Sequence, residues 1–234
     1  MTVFFDVDDT VYSRTNAFVE ACARFFRPPL EDPFTVFSCC NRRGDEVFKA
    51  SQTGEITMDE MVIYRYCRGF ADCSLTLSPE DALALQRTYE QVLTHITCSE
   101  TMLSILRLCA ARADKVGLLT NGPSYKQRGK IRALGIEPLF SPDMIIISGE
   151  VGLRKPDPAI FQLAAERMGA RPEACWYVGD TFGNDIVPAA EAGWHSVWLN
   201  RRGHDVPPEP QPDAIVHTEE EMAALVRELL SRRA

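Results

Sequence analysis

Apolar residues follow two different rhythms along this chain. From residue 101 onward, helical stripes alternate with short, uniformly apolar runs. "TMLSILRLCAARA" (101–113) places apolar residues at 102, 105, 106 and 109, one face of a helix, and "KVGLLT" (115–120) follows as a buried strand. "SYKQRGKIRALG" (124–135) predicts an amphipathic helix closed by Gly135, and "DMIIIS" (143–148) predicts a strand. Asp157 and Pro158 read as the N-cap and first-turn residues of the helix "AIFQLAAERMG" (159–169). "CWYVGD" (175–180) is a strand, 184–192 a helix ended by Gly193, and "HSVWL" (195–199) another strand. Thr218 and Glu221 form a capping-box pattern for a last helix, with apolar residues at 222, 225, 226, 229 and 230.

Such alternation predicts an α/β fold, a doubly wound parallel sheet covered by helices on both faces. The opening run "TVFFDVD" (2–8) has the same strand character. Residues 15–97 break the rhythm, because they contain no convincing strand. "TNAFVEACARFF" (15–26), "TMDEMVIYRYCRGF" (57–70) and "SPEDALALQRTYEQVLTHI" (78–96) are helical, while 28–40 resists assignment. The expectation is a core domain of residues 1–14 and 98–234, with a helical domain, 15–97, inserted after the first strand. "VPPEPQP" (206–212) reads as a rigid loop rather than a linker.

In a parallel sheet, ligands bind beyond the carboxyl ends of the strands, so the polar residues ending each strand are the first candidates for chemistry. The first strand ends in Asp6-Val7-Asp8-Asp9-Thr10, and "KVGLLT" runs into Thr120-Asn121-Gly122. "CWYV" runs into Gly179-Asp180 with Asp185 beyond, and Lys155 lies in the loop "GEVGLRKPDP" (149–158). Alternate spacing puts Asp6 and Asp8 on one face; Asp9 points away and reads as a solvated or capping residue. Several carboxylates on one rim call for a counter-charge, and Mg²⁺ is a hard cation suited to oxygen ligands. A metal, a lysine and a hydroxyl together describe a receptor for a phosphoryl group, with an aspartate as nucleophile.

Composition narrows the partners. The chain has 234 residues, 45% of them hydrophobic and 25% charged, as in an ordinary soluble protein. No apolar run reaches membrane length and the N-terminus has no signal pattern, so a cytoplasmic location and no membrane partner are expected. A net charge of −8 argues against a nucleic-acid polymer and leaves small phosphorylated metabolites open. The eight cysteines show neither C-x-x-C nor zinc spacing, which favours buried free thiols over a disulfide framework.

"DVDDT", "LLTNG", Lys155-Pro156 and "GDTFGND" resemble, in order and spacing, the four motifs of the haloacid dehalogenase-like (HAD) hydrolase superfamily. The resemblance spans the whole α/β portion, and the inserted helices resemble that superfamily's small helical cap, which would close over a substrate. It implies a Rossmann-like core and a Mg²⁺-dependent phosphatase. Asp6 would be nucleophile and metal ligand. Asp8 would protonate the leaving oxygen, activate water, and bind the metal through its backbone carbonyl. Thr120, Asn121 and Gly122 would hold phosphoryl oxygens. Lys155 would neutralise the phosphoryl charge and orient Asp6. Asp180 would complete the metal site, and Asp185 would act on it through a water or through Lys155.

Alternatives remain: a phosphomutase of the same fold, a haloacid dehalogenase, or a non-catalytic binding protein. Asp8 speaks against the dehalogenase, because a halide leaves without a proton and an alkoxide does not. "TGEITMDEM" (53–61), the run 120–136 and "WLNRRG" (198–203) resemble members that hydrolyse nucleoside 5′-monophosphates or sugar phosphates, nucleotidases first. A monomer or homodimer is expected. Arg14, close behind the first motif and at the border of the helical insert, is the nearest candidate there for a substrate anion.

Overall fold

A computed structural model describes residues 1–231. The chain divides into two compact units, Met1–Ser13 with Thr97–Ala234, and Arg14–Ile96. The first unit opens with β1 (Thr2–Phe5). The second is helical: α1 (Arg14–Phe25), α2 (Pro33–Thr53), α3 (Met58–Asp72) and α4 (Pro79–Leu93). The first unit then continues with α5 (Glu100–Arg112), β2 (Lys115–Thr120), α6 (Ser124–Ala133), β3 (Ile145–Ile147) and α7 (Ser148–Val151). It ends with α8 (Ala159–Met168), β4 (Cys175–Gly179), α9 (Val187–Glu191), β5 (His195–Leu199), β6 (Ala214–Val216) and α10 (Glu219–Ser231).

The strands form one sheet in the order β3-β2-β1-β4-β5-β6, every pair parallel, which is the expected doubly wound α/β architecture. The chain lays β2 and β3 on one side of β1 and β4 to β6 on the other. The carboxyl end of β1 is therefore the topological switch point, where such sheets bind ligands. The Asp6 amide donates to the Val178 carbonyl at 2.9 Å, extending the β1–β4 ladder and fixing Asp6 at that tip.

What anchors β1 is aromatic packing. Phe4 is fully buried and lies 5.4 Å from the ring of Trp194, which meets Phe161 at 5.4 Å; Phe161 in turn meets Tyr177 at 4.9 Å. Opposite Phe4 on β2 stands Gly117, where an added Cβ would fall 2.4 Å from the Phe4 ring. Only glycine leaves room for that ring. Removing the Phe4 side chain would cost about 3–5 kcal/mol.

In the helical unit, Phe18 of α1 stacks on Phe37 at 4.7 Å and on Tyr66 at 5.9 Å, giving it an aromatic core of its own. Thr57 and Glu60 form a full capping box for α3, and Ser78 caps α4. The unassigned stretch 28–40 contains the start of α2, a 21-residue helix. Asp32 opens it by accepting from the Thr35 amide at 3.0 Å, with Pro33 in the first turn. Its apolar stripe escapes notice because only Val36, Phe37 and Cys40 are buried. Cys40 packs against Gly69 of α3, where an added Cβ would lie 2.6 Å from the Cys40 backbone.

Two sequence expectations change in detail. The helix expected over 184–192 begins as a wide π turn, Phe182–Ile186, before α9. The Thr181 carbonyl accepts from both Asn184 and Asp185, and the Asp185 carboxylate returns to the Thr181 amide at 2.8 Å, which closes the turn. Asp157 does cap α8, but from one residue further out, by accepting from the Ala159 amide at 2.9 Å. All eight cysteines are free thiols, with Cys22, Cys40, Cys109 and Cys175 buried. Among the described residues, no helix is long and apolar enough to cross a membrane.

Candidate active site

The buried rim at the β1 tip is built around one ammonium. Lys155 Nζ donates to Asp6 Oδ1 at 2.8 Å, to Asp185 Oδ1 at 2.5 Å and to the Tyr177 hydroxyl at 2.7 Å. Lys155, Asp6 and Asp185 are all buried, and the Tyr177 hydroxyl passes its own proton to the Leu119 carbonyl at 2.8 Å. All three Lys155 protons are thereby placed. The loop that carries Lys155 is fixed from β2: the Asn121 amide accepts from the Lys155 N–H at 3.0 Å and donates to its carbonyl at 2.8 Å.

Asp185 can come this close because the residue beside it is Gly179. A Cβ there would lie 2.5 Å from the Asp185 carboxylate. Asp180, at the end of β4, is held by its backbone, whose carbonyl accepts from the Trp198 indole at 2.8 Å. Asp6, Asp180 and Asp185 each present a carboxylate oxygen within 4.8 Å of the others.

Burial pushes the Asp6 carboxyl up to about 7; Lys155 opposes that, while the charges of Asp185 and Asp8 add to it. Asp180 is raised well above the usual carboxylate range, by burial and then by Asp185 and Asp6. For Lys155, burial works against the charge, yet Asp185 and Asp6 outweigh it and hold the ammonium above its ordinary value. Three carboxylates thus crowd together, and the one lysine among them pairs with only two. A set of hard oxygen donors with surplus negative charge fits a small divalent cation such as Mg²⁺.

Asp8 has different surroundings. Lys130 Nζ donates to its two oxygens at 2.7 and 2.9 Å, Gln127 Nε2 at 2.8 Å and the Tyr12 hydroxyl at 2.5 Å. Next in the chain, Asp9 turns the backbone at φ 60° and meets Arg202 at 3.3 Å, while Arg201 donates to the Thr10 carbonyl at 3.2 Å. Thr120 is buried and accepts from Gln127 at 3.1 Å. Gly122, at φ 144°, donates its amide to Ser148 Oγ at 2.9 Å.

The structure therefore gathers Asp6, Lys155, Asp180 and Asp185 into one cluster and ties Asp8 to Thr120 through Gln127. Asn121 grips the lysine loop, and Gly122 is bonded toward α7. Tyr12, Gln127, Lys130, Ser148 and Tyr177 went unnoticed in the sequence. Gln127 and Lys130 share a helix face that reads as solvated, and Tyr177 sits in a strand that reads as core.

Comparison with known proteins gives a consistent result. The family model for haloacid dehalogenase-like hydrolases matches residues 1–193. The chain is 29% identical over 238 residues to the glyceraldehyde 3-phosphate phosphatase of Methanopyrus kandleri, covering 97% of each chain. Among solved structures, the HAD hydrolase YfnB from Bacillus subtilis, bound to magnesium, is similar at a TM-score of 0.74 and 23% identity, over 96% of this chain and 97% of that one. The L-2-haloacid dehalogenase of Xanthobacter autotrophicus is similar at a TM-score of 0.70 and 16% identity, over 97% of this chain and 98% of that one. At those identities, the two structures share the fold.

Proposed function

The chain belongs to the haloacid dehalogenase-like hydrolases, and from that premise we propose that it hydrolyses small phosphate monoesters through a phosphoryl intermediate on Asp6, with Mg²⁺ as cofactor. The observation that carries this reading is the buried ammonium of Lys155, shared by Asp6 and Asp185 at the tip of the central strand. Mg²⁺ would be held by the carboxylates of Asp6 and Asp180 and the backbone carbonyl of Asp8, with Asp185 alongside, and would supply positive charge to the phosphoryl oxygens.

The chain's own residues then divide the work. An Asp6 oxygen bonds to phosphorus as the bond to the leaving oxygen breaks, and Asp8 gives that oxygen a proton. In the second step Asp8 takes a proton from water. The water oxygen bonds to phosphorus, the Asp6–phosphorus bond breaks, and inorganic phosphate leaves. Thr120 and the amides of Asn121 and Gly122 hold the phosphoryl oxygens, the Gly122 amide exchanging its bond to Ser148 for one to phosphate. Lys155 neutralises charge and keeps Asp6 aimed.

Within this class the substrate is a sugar phosphate or a nucleoside 5′-monophosphate. The relative that acts on glyceraldehyde 3-phosphate, matched along nearly its whole length, supports a short phosphorylated sugar. Asp8 sets this reading apart from dehalogenation, in which the leaving halide takes no proton.

The test is a phosphate-release screen across sugar phosphates, nucleotides and phosphoglycolate, with Mg²⁺ and with chelator. Release that needs Mg²⁺ supports the reading. Interconversion of phosphate esters without release would make the protein a mutase, and halide release from 2-haloacids with no phosphate release would make it a dehalogenase.

A further inference from the structure

Asp8 is gripped by a helix that lies outside the motif carrying it. Gln127 and Lys130 stand three residues apart on α6 and so share one face of it. This face is not the solvated one that its composition suggests. Gln127 is 2% exposed and the Lys130 side chain 13%. Lys130 reaches both oxygens of the Asp8 carboxylate, at 2.7 and 2.9 Å, so the plane of the carboxylate is set as well as its position. Tyr12, buried four residues beyond Asp8, donates to the same oxygen that Lys130 holds at 2.7 Å.

Gln127 adds a second constraint. Its Nε2 lies 2.8 Å from Asp8 Oδ2, 3.1 Å from Thr120 Oγ1 and 2.5 Å from the Asn121 carbonyl, three acceptors around one donor group. Its Oε1 is buried without a hydrogen-bond partner. Rotating the amide would set that oxygen against the Asp8 carboxylate and the Asn121 carbonyl, neither of which can donate, and would give up both of those bonds for one from the Thr120 hydroxyl. The orientation is thus locked, and it ties Asp8 to the tip of β2, where Thr120 and Asn121 stand. A buried acceptor left unbonded is tolerated only where the rest of the group is held for another reason.

We propose that Lys130 and Gln127 are positioning residues for proton transfer: Lys130 sets the plane of the Asp8 carboxylate, and Gln127 fixes its distance from the phosphoryl-binding tip of β2. This rests on the phosphatase reading of Asp8. Neither residue touches the reacting atoms; Lys130 acts through Asp8, and Gln127 through Asp8 and the tip of β2. Their removal leaves attack by Asp6 intact and impairs only the step in which the leaving oxygen takes its proton. A leaving group that needs no proton is therefore indifferent to them.

Phenyl phosphate and 2,4-dinitrophenyl phosphate separate the two cases, because the phenolate is the poor leaving group and the dinitrophenolate the good one. The quantity to compare is kcat/KM, which reports transfer to Asp6. Lys130→Met lowers it about tenfold or more on phenyl phosphate and less than about threefold on the dinitrophenyl ester. Lys130→Arg, which keeps the charge and two donors, recovers most of the loss, and Gln127→Met follows the pattern of Lys130→Met. In an Asp8→Asn background, adding Lys130→Met brings no further loss on either ester, as expected for residues acting as a unit. Thermal melting of each variant separates unfolding from a catalytic effect, and Gln127→Met carries the test if Lys130→Met does not fold. Equal losses on the two esters, or a full additional loss in the Asp8→Asn background, overturn the proposal while leaving the phosphatase reading in place. A wild type that releases phosphate from neither ester overturns the reading beneath it.

Discussion

Asp6 and Asp8 stand two residues apart on one strand tip, yet they sit in opposite electrostatic settings. Asp6 is buried among acids, with Asp180 and Asp185 close by, and one lysine pairs with Asp6 and Asp185. Asp8 is surrounded by donors, namely Lys130, Gln127 and Tyr12. The left-handed turn at Asp9 takes the chain away from the strand just beyond both residues. A carboxylate crowded by carboxylates is poised for a cation or an electrophilic phosphorus, whereas one ringed by donors is held in place. Two chemically identical side chains acquire different uses from what faces them.

The comparison breaks most readily at Lys155. Lys155→Met leaves Asp6 and Asp185 without their shared cation and should cost about 3–5 kcal/mol, read from urea denaturation at pH 7.5. The loss should shrink at pH 5, where Asp6 is protonated in the fold. A loss that does not change between those pH values would show that charge is not what Lys155 contributes.

A smaller effect comes from pH alone. The Asp6 carboxyl is raised to about 7 in the fold. A folded carboxyl that holds its proton more tightly than the unfolded chain contributes stability below about pH 4, and that contribution is lost as pH rises toward 7. In chelator, the wild type should therefore lose on the order of 3 kcal/mol more than Asp6→Asn across that window. Mg²⁺ should restore the difference at pH 7.5 and have little effect at pH 5. Wild-type stability that rises relative to Asp6→Asn over the same window would contradict the picture.

Tyr177→Phe is subtler. It removes one acceptor from Lys155 and one donor from the Leu119 carbonyl, with a cost of about 1–2 kcal/mol in stability. Smallest of all is Arg202→Ala. Its pair with Asp9 is half-exposed, so the change should stay below about 1 kcal/mol and leave turnover near that of the wild type. A large loss of turnover there would mean that Asp9 is more than a bystander.

The cluster around Asp6 was readable in the sequence because its members end strands or lie in the loop beside one. Short apolar runs announce the sheet, and whatever polar residue ends a run must stand on its rim. The surroundings of Asp8 were not readable. Gln127 and Lys130 belong to a helix whose other residues are mostly polar, and helical spacing alone does not tell a face turned toward a carboxylate from one turned to water. Tyr177 is hidden for the reverse reason: its ring belongs to the core, and only its hydroxyl reaches Lys155. All of α2 was missed because three buried residues in a 21-residue helix make too faint a stripe. Around the candidate site, what escaped was side-chain direction; in the helical unit, a whole element, α2, escaped.

The central claim is that Asp6 carries the phosphoryl group during turnover. Quenching the enzyme in mid-turnover on 2,4-dinitrophenyl phosphate with Mg²⁺, reducing it with borohydride and sequencing by mass spectrometry tests this directly. Acyl phosphates are reduced and free carboxylates are not, so Asp6 should be converted to homoserine in the presence of substrate and remain aspartate without it. Conversion at another carboxylate, or sustained phosphate release with Asp6 unmodified and in the Asp6→Asn variant, would contradict it.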